Sequence, residues 1–312
     1  MERIIGRFNG QEKGPLFICF AAMHGNEPAG KHAIDLVFKM LEVEPISNPD
    51  FHYKGRFVGL IGNIQALQKG ERFIEKDLNR QFTLDNISRV MNADHAHLKN
   101  EEKELRELID TINNEIEDYQ PEKILFLDLH TTSSHGGIFT ISANDPDSIR
   151  IASALHAPVI LGMTRGLRGT TMHFFNNNHF EANTISLTFE SGQHEEKLSI
   201  NRAISAIINC MKEINSVQND HVENFHEEIL IKYSDRLPKV AEMLERHPVY
   251  PEEGFEMLPG YKNFQFVRKG EVIAKDKNGN IAAKEDGLLL MPLYQKQGED
   301  GFFIIKVVEA RV

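Results

Sequence analysis

The chain has 312 residues, 41% hydrophobic and 26% charged, with a formal net charge of -11 at pH 7. That balance suits a soluble globular protein with one large domain and a smaller one. It excludes a general nucleic-acid binder, which needs a basic face, and no apolar run is long enough to span a bilayer.

The N-terminal Met1-Glu2-Arg3-Ile4-Ile5-Gly6 has no signal-peptide pattern, so a cytoplasmic location is expected. Cys19 and Cys210 lie far apart in apolar segments and read as buried thiols. A metal in this chain therefore has to use His and carboxylate ligands.

Residues 3–8 read as a short strand, and Leu16 to Met23 as a strand apolar on both faces. The strand runs into His24-Gly25-Asn26-Glu27-Pro28, with Pro28 suited to open a helix over 28–42. Pro45, Ser47, Asn48 and Pro49 mark a loop, Arg56 to Ile61 a strand, and 64–69 a helical turn. Glu71 to Phe82 is polar and poorly periodic, hence a loop. Its arginines either form a solvated surface or recognise an anion, with the solvated surface favoured by this segment alone.

Residues 98–118 form an amphipathic helix whose run Glu101-Glu102-Lys103-Glu104 belongs to the solvated face. His95 and His97 just before it read as surface residues. Ile124 to His130 is a second buried strand, with Asp128 and His130 on one face. A strand at 137–142, a helix at 147–156 and a short strand at 158–161 follow, then loop-like 164–181. Thr184 to Glu190 is a strand ending in a carboxylate, and 196–214 a helix.

The pattern changes after Asn215. Ser216 to Asp220 reads as a linker, followed by short strands at 229–231, 264–267, 271–274, 288–291 and 302–308. Asn278-Gly279 is a hairpin turn signal. The expected organisation is an α/β domain over 1–215 and a β-rich domain over 222–312.

Ligands of α/β sheets gather at the C-terminal strand ends. Three such ends carry chemistry here: His24 with Glu27, His130, and Glu190. Two His and one Glu form a ligand set for catalytic zinc, and Glu190 is then a candidate general base. A lone strand-end His is more often a hydrogen-bonded structural residue, so the agreement of three ends carries the weight.

The ordered motifs His24-Gly25-Asn26-Glu27, Asp77-Leu78-Asn79-Arg80, Asp128-Leu129-His130 and Phe189-Glu190-Ser191-Gly192 resemble those of the succinylglutamate desuccinylase/aspartoacylase family. That family belongs to the zinc carboxypeptidase-like hydrolases. The resemblance implies a mixed central sheet flanked by helices, with a smaller C-terminal β-rich domain. It implies one Zn2+ per chain on His24, Glu27 and His130. It implies Glu190 as base and proton donor, and Arg72 as the group that polarises the scissile carbonyl. It implies that Asn79 and Arg80 hold a substrate carboxylate, which reverses the odds on their loop.

Two positions depart from the aspartoacylase pattern. His179 and Phe180 stand where that group has an arginine, and Tyr294 is the nearest counterpart of its C-terminal tyrosine. Arg165 or Arg168 is then a candidate replacement contact, with a flexible surface loop as the alternative.

The resulting expectation is a zinc-dependent amidohydrolase removing an N-acyl group from an amino acid or related small carboxylate. Its partner is that small molecule, with neither nucleic acid nor membrane involved and a homo-oligomer left open. A metallocarboxypeptidase acting on short peptides and a non-catalytic metal-binding protein are the alternatives.

Overall fold

The computed structural model describes residues 1–218 and 227–309. The N-terminal portion alternates strands and helices. It opens with β1 (Ile4–Asn9), β2 (Glu12–Ala21), α1 (Ala29–Ser47), β3 (Lys54–Ile61) and α2 (Ile64–Lys69). Next come α3 (Leu84–Asn92), α4 (Glu101–Tyr119), β4 (Lys123–Thr132), β5 (Phe139–Ser142) and α5 (Pro146–Ser153). It closes with β6 (Val159–Leu161), α6 (Thr171–Phe174), β7 (Asn183–Gln193), α7 (Leu198–Glu213) and α8 (Glu227–Ser234).

The C-terminal portion is mostly strand: β8 (Val240–Pro248), β9 (Glu256–Met257), β10 (Phe266–Val267) and β11 (Val272–Asp276). It ends with β12 (Gly279–Ala282), β13 (Gly287–Leu290) and β14 (Asp300–Val307).

A mixed sheet of eleven strands in the order β1-β3-β2-β4-β7-β5-β6-β8-β14-β13-β10 forms the centre. Strands β3, β2, β4 and β7 run parallel, so the ends of β2, β4 and β7 meet at one edge of the layer. Parallel pairing of β6 with β8 carries the sheet into the C-terminal portion. A small sheet, β12-β11-β9, packs beyond it.

Strand β2 shows why these sequences read as continuous apolar runs. Phe17, Cys19 and Ala21 point into one core with α1, α5, α7 and α8. Leu16, Ile18 and Phe20 point into the other core, with α3 and α4. Both faces are covered, so period-2 alternation is lost.

Several expectations are corrected. Helix α1 continues through Pro45 to Ser47 instead of yielding to a loop: Pro45 has no N–H to bond the Leu41 carbonyl, but the Asn48 amide still closes the helix on the Glu44 carbonyl at 2.8 Å. Helix α3 was not anticipated; its Thr83 cap and the spacing of buried Ile87 and Val90 are the signals that mark it. The segment 229–231 is helical, within α8. Leu230 is buried while Ile231 is 47% exposed, and a three-residue apolar run does not distinguish strand from helix. The loop-like stretch 164–181 contains α6 and a single 3-10 turn at Met163–Arg165.

The acidic run of α4 is also corrected. Glu101 and Glu104 are buried, and Glu104 pairs with Arg3 at 2.5 Å. His95 and His97 are exposed, as expected. The Asn278-Gly279 turn joins β11 to β12 as an antiparallel hairpin. The expected linker at 216–220 lies partly outside the described residues.

Candidate active site

Strand β2 ends abruptly. Ala22 takes a left-handed conformation at φ 54°, and the amides of Gly62 and Asn63 close on the Ala21 and Ala22 carbonyls, each at 2.8 Å. The chain then turns through His24 to Glu27, where the Glu27 amide donates to the His24 carbonyl at 3.1 Å. Gly25 is required by close approach: a Cβ there would lie 2.0 Å from the backbone carbon of Ala66 in α2. Helix α1 starts immediately afterwards and leaves the Glu27 side chain buried beneath the sheet edge.

The neighbouring strand ends complete the arrangement. His130 lies at the end of β4, and the parallel register pairs it with Glu190 of β7. Glu27 bridges the two imidazoles, with Oε1 at 2.9 Å from His24 Nδ1 and Oε2 at 3.0 Å from His130 Nδ1. The far nitrogens are held too: His24 Nε2 lies 3.2 Å from Asp77 Oδ1, and His130 Nε2 lies 3.0 Å from Asp128 Oδ2. Each imidazole thus presents Nδ1 inward and is oriented by a carboxylate behind it, an arrangement typical of metal-ligating histidines. One donor atom from each of His24, Glu27 and His130 lies within 4.8 Å of the others.

The charges respond to this packing. Burial alone would raise the Glu27 carboxyl, but His24 and His130 outweigh it and hold Glu27 well below the usual carboxylate range. Burial would likewise depress His130, yet Asp128 and Glu27 hold it well above the usual imidazole value. Asp77 is kept ionised against burial by His24, Arg72 and Arg80.

Glu190 behaves in the opposite way. Burial pushes its carboxyl up to about 8, only partly offset by His130. Its Oε2 is buried without a hydrogen-bond partner among the described residues. An orphaned carboxylate oxygen beside a His-Glu-His cluster fits a metal-centred site with room for a reacting molecule.

The residues picked out from sequence converge on one cleft. His24, Arg72, Arg80, His130 and Glu190 line both of its connected lobes; Glu27 lines one and Asn79 the other. Arg72 reaches Glu27 at 3.4 Å and Asp77 at 3.1 Å. Asn79 Nδ2 lies 3.4 Å from His130 Nε2, and its Oδ1 accepts the Thr171 amide at 3.0 Å.

Other candidates stand elsewhere. Arg165 is exposed and pairs with Glu242 at 2.5 Å, and Arg168 is exposed. His179 stacks on Phe174, and Phe180 packs beside Phe126 and Phe175. The Tyr294 hydroxyl donates to the Leu258 carbonyl at 2.8 Å and accepts the Tyr261 amide at 2.9 Å.

Instead of Tyr294, its neighbour Gln295 enters the cleft, with Oε1 accepting Asn26 Nδ2 at 2.9 Å. Met291, Glu299 and Asp300 line it as well. No local pattern singles these residues out; they arrive through the long-range pairing of β8, β13 and β14. Asp77 and Asp128 had a sequence signal, standing in the same short motifs as Arg80 and His130.

The sheet and the cluster together define an α/β protein with a candidate metal centre at its parallel strand ends. Residues 13–214 match the family model of the succinylglutamate desuccinylase/aspartoacylase catalytic domain, and the chain belongs to that family. A probable aspartoacylase of Nostoc sp. is 27% identical over 133 residues, 42% of this chain and 40% of that protein. A succinylglutamate desuccinylase of Pseudomonas fluorescens is 38% identical over 72 residues, 23% of this chain and 20% of that protein. The chain thus matches less than half the length of these relatives. A succinylglutamate desuccinylase/aspartoacylase from Rhodobacter sphaeroides, known as a crystal structure, shares the fold with a TM-score of 0.65 at 16% identity. That likeness covers 96% of this chain and 87% of the other.

Proposed function

We propose that the chain is a zinc-dependent amidohydrolase that removes an N-acyl group from an amino acid or related small carboxylate. One observation carries this reading: His24, Glu27 and His130 converge within a buried cleft that also holds the unpartnered Glu190 carboxylate. Membership of the family supports it.

His24, Glu27 and His130 would hold the zinc, which when bound polarises the amide oxygen and acidifies water. Asp77 and Asp128 keep the two imidazoles turned with Nδ1 inward. Glu190, raised to about 8, is matched to exchange protons near neutral pH. It takes the proton of the attacking water and returns it to the leaving amine nitrogen.

Arg72 is fixed by Glu27 and Asp77 and donates to the oxygen that gains charge. Loss of such a donor typically costs about 3 kcal/mol of transition-state stabilisation. Arg80, with Asn79 behind it, receives the substrate carboxylate.

The test is a zinc-loaded preparation assayed on N-acyl amino acids and short peptides side by side. N-acyl amino acids should be cleaved in preference. Glu190→Gln should retain stoichiometric zinc by mass spectrometry and lose most turnover. Near-normal turnover in that variant, or preferential cleavage of peptides, would overturn the reading.

A further inference from the structure

Beyond the reacting end, the cleft opens into a recess bounded by Ile141, Met163, Leu167, Met172, Met291 and Phe303. These residues come from β5, the turn after β6, the loop before α6, α6 itself, the end of β13, and β14. They belong to one apolar cluster, with Leu167 and Met291 packed on its edge. The lobe that includes this recess takes in about 530 Å³ of unfilled space, part of it open to solvent.

The cations nearby are already engaged. Among the described residues lining the cleft, Arg72 and Arg80 are the arginines, and no lysine joins them. Arg72 is held by Glu27 and Asp77. Arg80 donates to the Asn79 carbonyl at 2.8 Å and to Asp300 Oδ2 at 2.5 Å, and its Nε lies 3.5 Å from Glu299. Arg246 holds the other Asp300 oxygen. Arg80 therefore has capacity for one further carboxylate at most. A second would lie against methionine and phenylalanine with Glu299 and Asp300 nearby, desolvated and without a cationic partner.

We infer that the recess takes an uncharged apolar group, so that the substrate is an N-acyl monocarboxylate with an apolar side or acyl chain. This inference rests on the amidohydrolase reading and narrows its substrate class. Asp300 contributes by occupying one side of the Arg80 guanidinium, which disfavours a substrate that carries a second carboxylate.

Binding and turnover separate the two claims. Zinc-loaded Glu190→Gln protein is titrated by calorimetry with N-acetylmethionine against N-acetylaspartate, and with N-hexanoylglycine against N-succinylglycine. The apolar member of at least one pair should bind roughly tenfold more tightly or better. Leu167→Arg, which places a cation at the half-buried edge of the recess, should shift the preference towards the dicarboxylate. Asp300→Asn, which frees Arg80, should do the same.

Dicarboxylates that bind equally well or better in both pairs would overturn the inference, as would no binding of any of the four. Turnover by the wild-type protein is scored separately. Hydrolysis that favours dicarboxylates removes the recess assignment and leaves the amidohydrolase. Selective apolar binding without any turnover leaves the recess and removes the amidohydrolase.

Discussion

The Glu101 carboxylate accepts the Ile74 amide at 2.6 Å and so anchors, from outside the cleft, the loop that carries Arg72 and Asp77. Its second oxygen accepts the amides of Glu75 and Lys76 at 3.1 and 3.2 Å, and Asn63 donates to the first at 3.2 Å. One buried carboxylate thereby satisfies three consecutive backbone donors of a loop whose side chains are half-buried to exposed. Gly25 ties the other end of the loop to the His24–Glu27 turn by donating to the Arg72 carbonyl at 3.1 Å.

Glu101→Ala should release those amides and cost about 1.5–3 kcal/mol in urea unfolding, the usual worth of hydrogen bonds to a charged group. If Arg72 donates to the developing charge as proposed, its loosening should lower kcat more than it raises KM. Glu101→Gln should recover part of both losses. An unchanged kcat in the folded alanine variant would show that the loop holds its shape without the carboxylate.

The carboxylates behind the histidines should matter for metal rather than for fold. Asp77→Asn and Asp128→Asn keep the side-chain volume but weaken the hold on His24 Nε2 and His130 Nε2. Each should reduce zinc affinity by roughly 10- to 100-fold in competition with a chelator. Asp128 also accepts the Thr171 hydroxyl at 2.8 Å, so its variant should disturb the α6 side of the cleft as well.

Glu190 should make the metal-free protein less stable as pH rises. Its folded value of about 8 lies above its ordinary 4.5, so the folded state retains a proton that the unfolded state has already released. Stability from this group is complete below pH of about 4.5 and declines to a plateau above pH of about 8. Glu190→Gln removes the dependence. The metal-free variant should match the wild type at pH near 4 and exceed it above pH of about 8, by an amount on the order of 5 kcal/mol. Denaturant titrations across that range are the check; parallel curves would exclude a raised Glu190.

Gly25→Ala places a methyl group against the α2 backbone, which has no flexible side-chain end to move aside. The cost should be on the order of 3 kcal/mol, with loss of zinc binding because His24 and Glu27 flank the displaced residue. Retained zinc at wild-type stability would mean that the turn and α2 separate freely.

Much of this protein is written locally. The apolar runs of β2, β4 and β7, each followed by a polar residue at its end, were legible because a covered parallel strand must be hydrophobic on both faces. His24, Glu27, His130 and Glu190 were legible for the same reason, since a strand end is where an α/β sheet exposes chemistry.

Other features had no local signature. The apolar segment around Leu230 suits strand and helix alike, and packing of α8 against α7 decided for helix. Glu101 looked like one charge in a solvated run, and only the passage of residues 74–76 over it made burial favourable. Asp300 meets Arg80 from 220 positions away, and Met291 and Phe303 reach the recess only because β13 and β14 extend the central sheet. The His-Glu-His end of the cleft follows from short motifs at strand ends. Its walls depend on which distant strands pair, because those contacts arise from register and sheet order rather than from neighbouring residues.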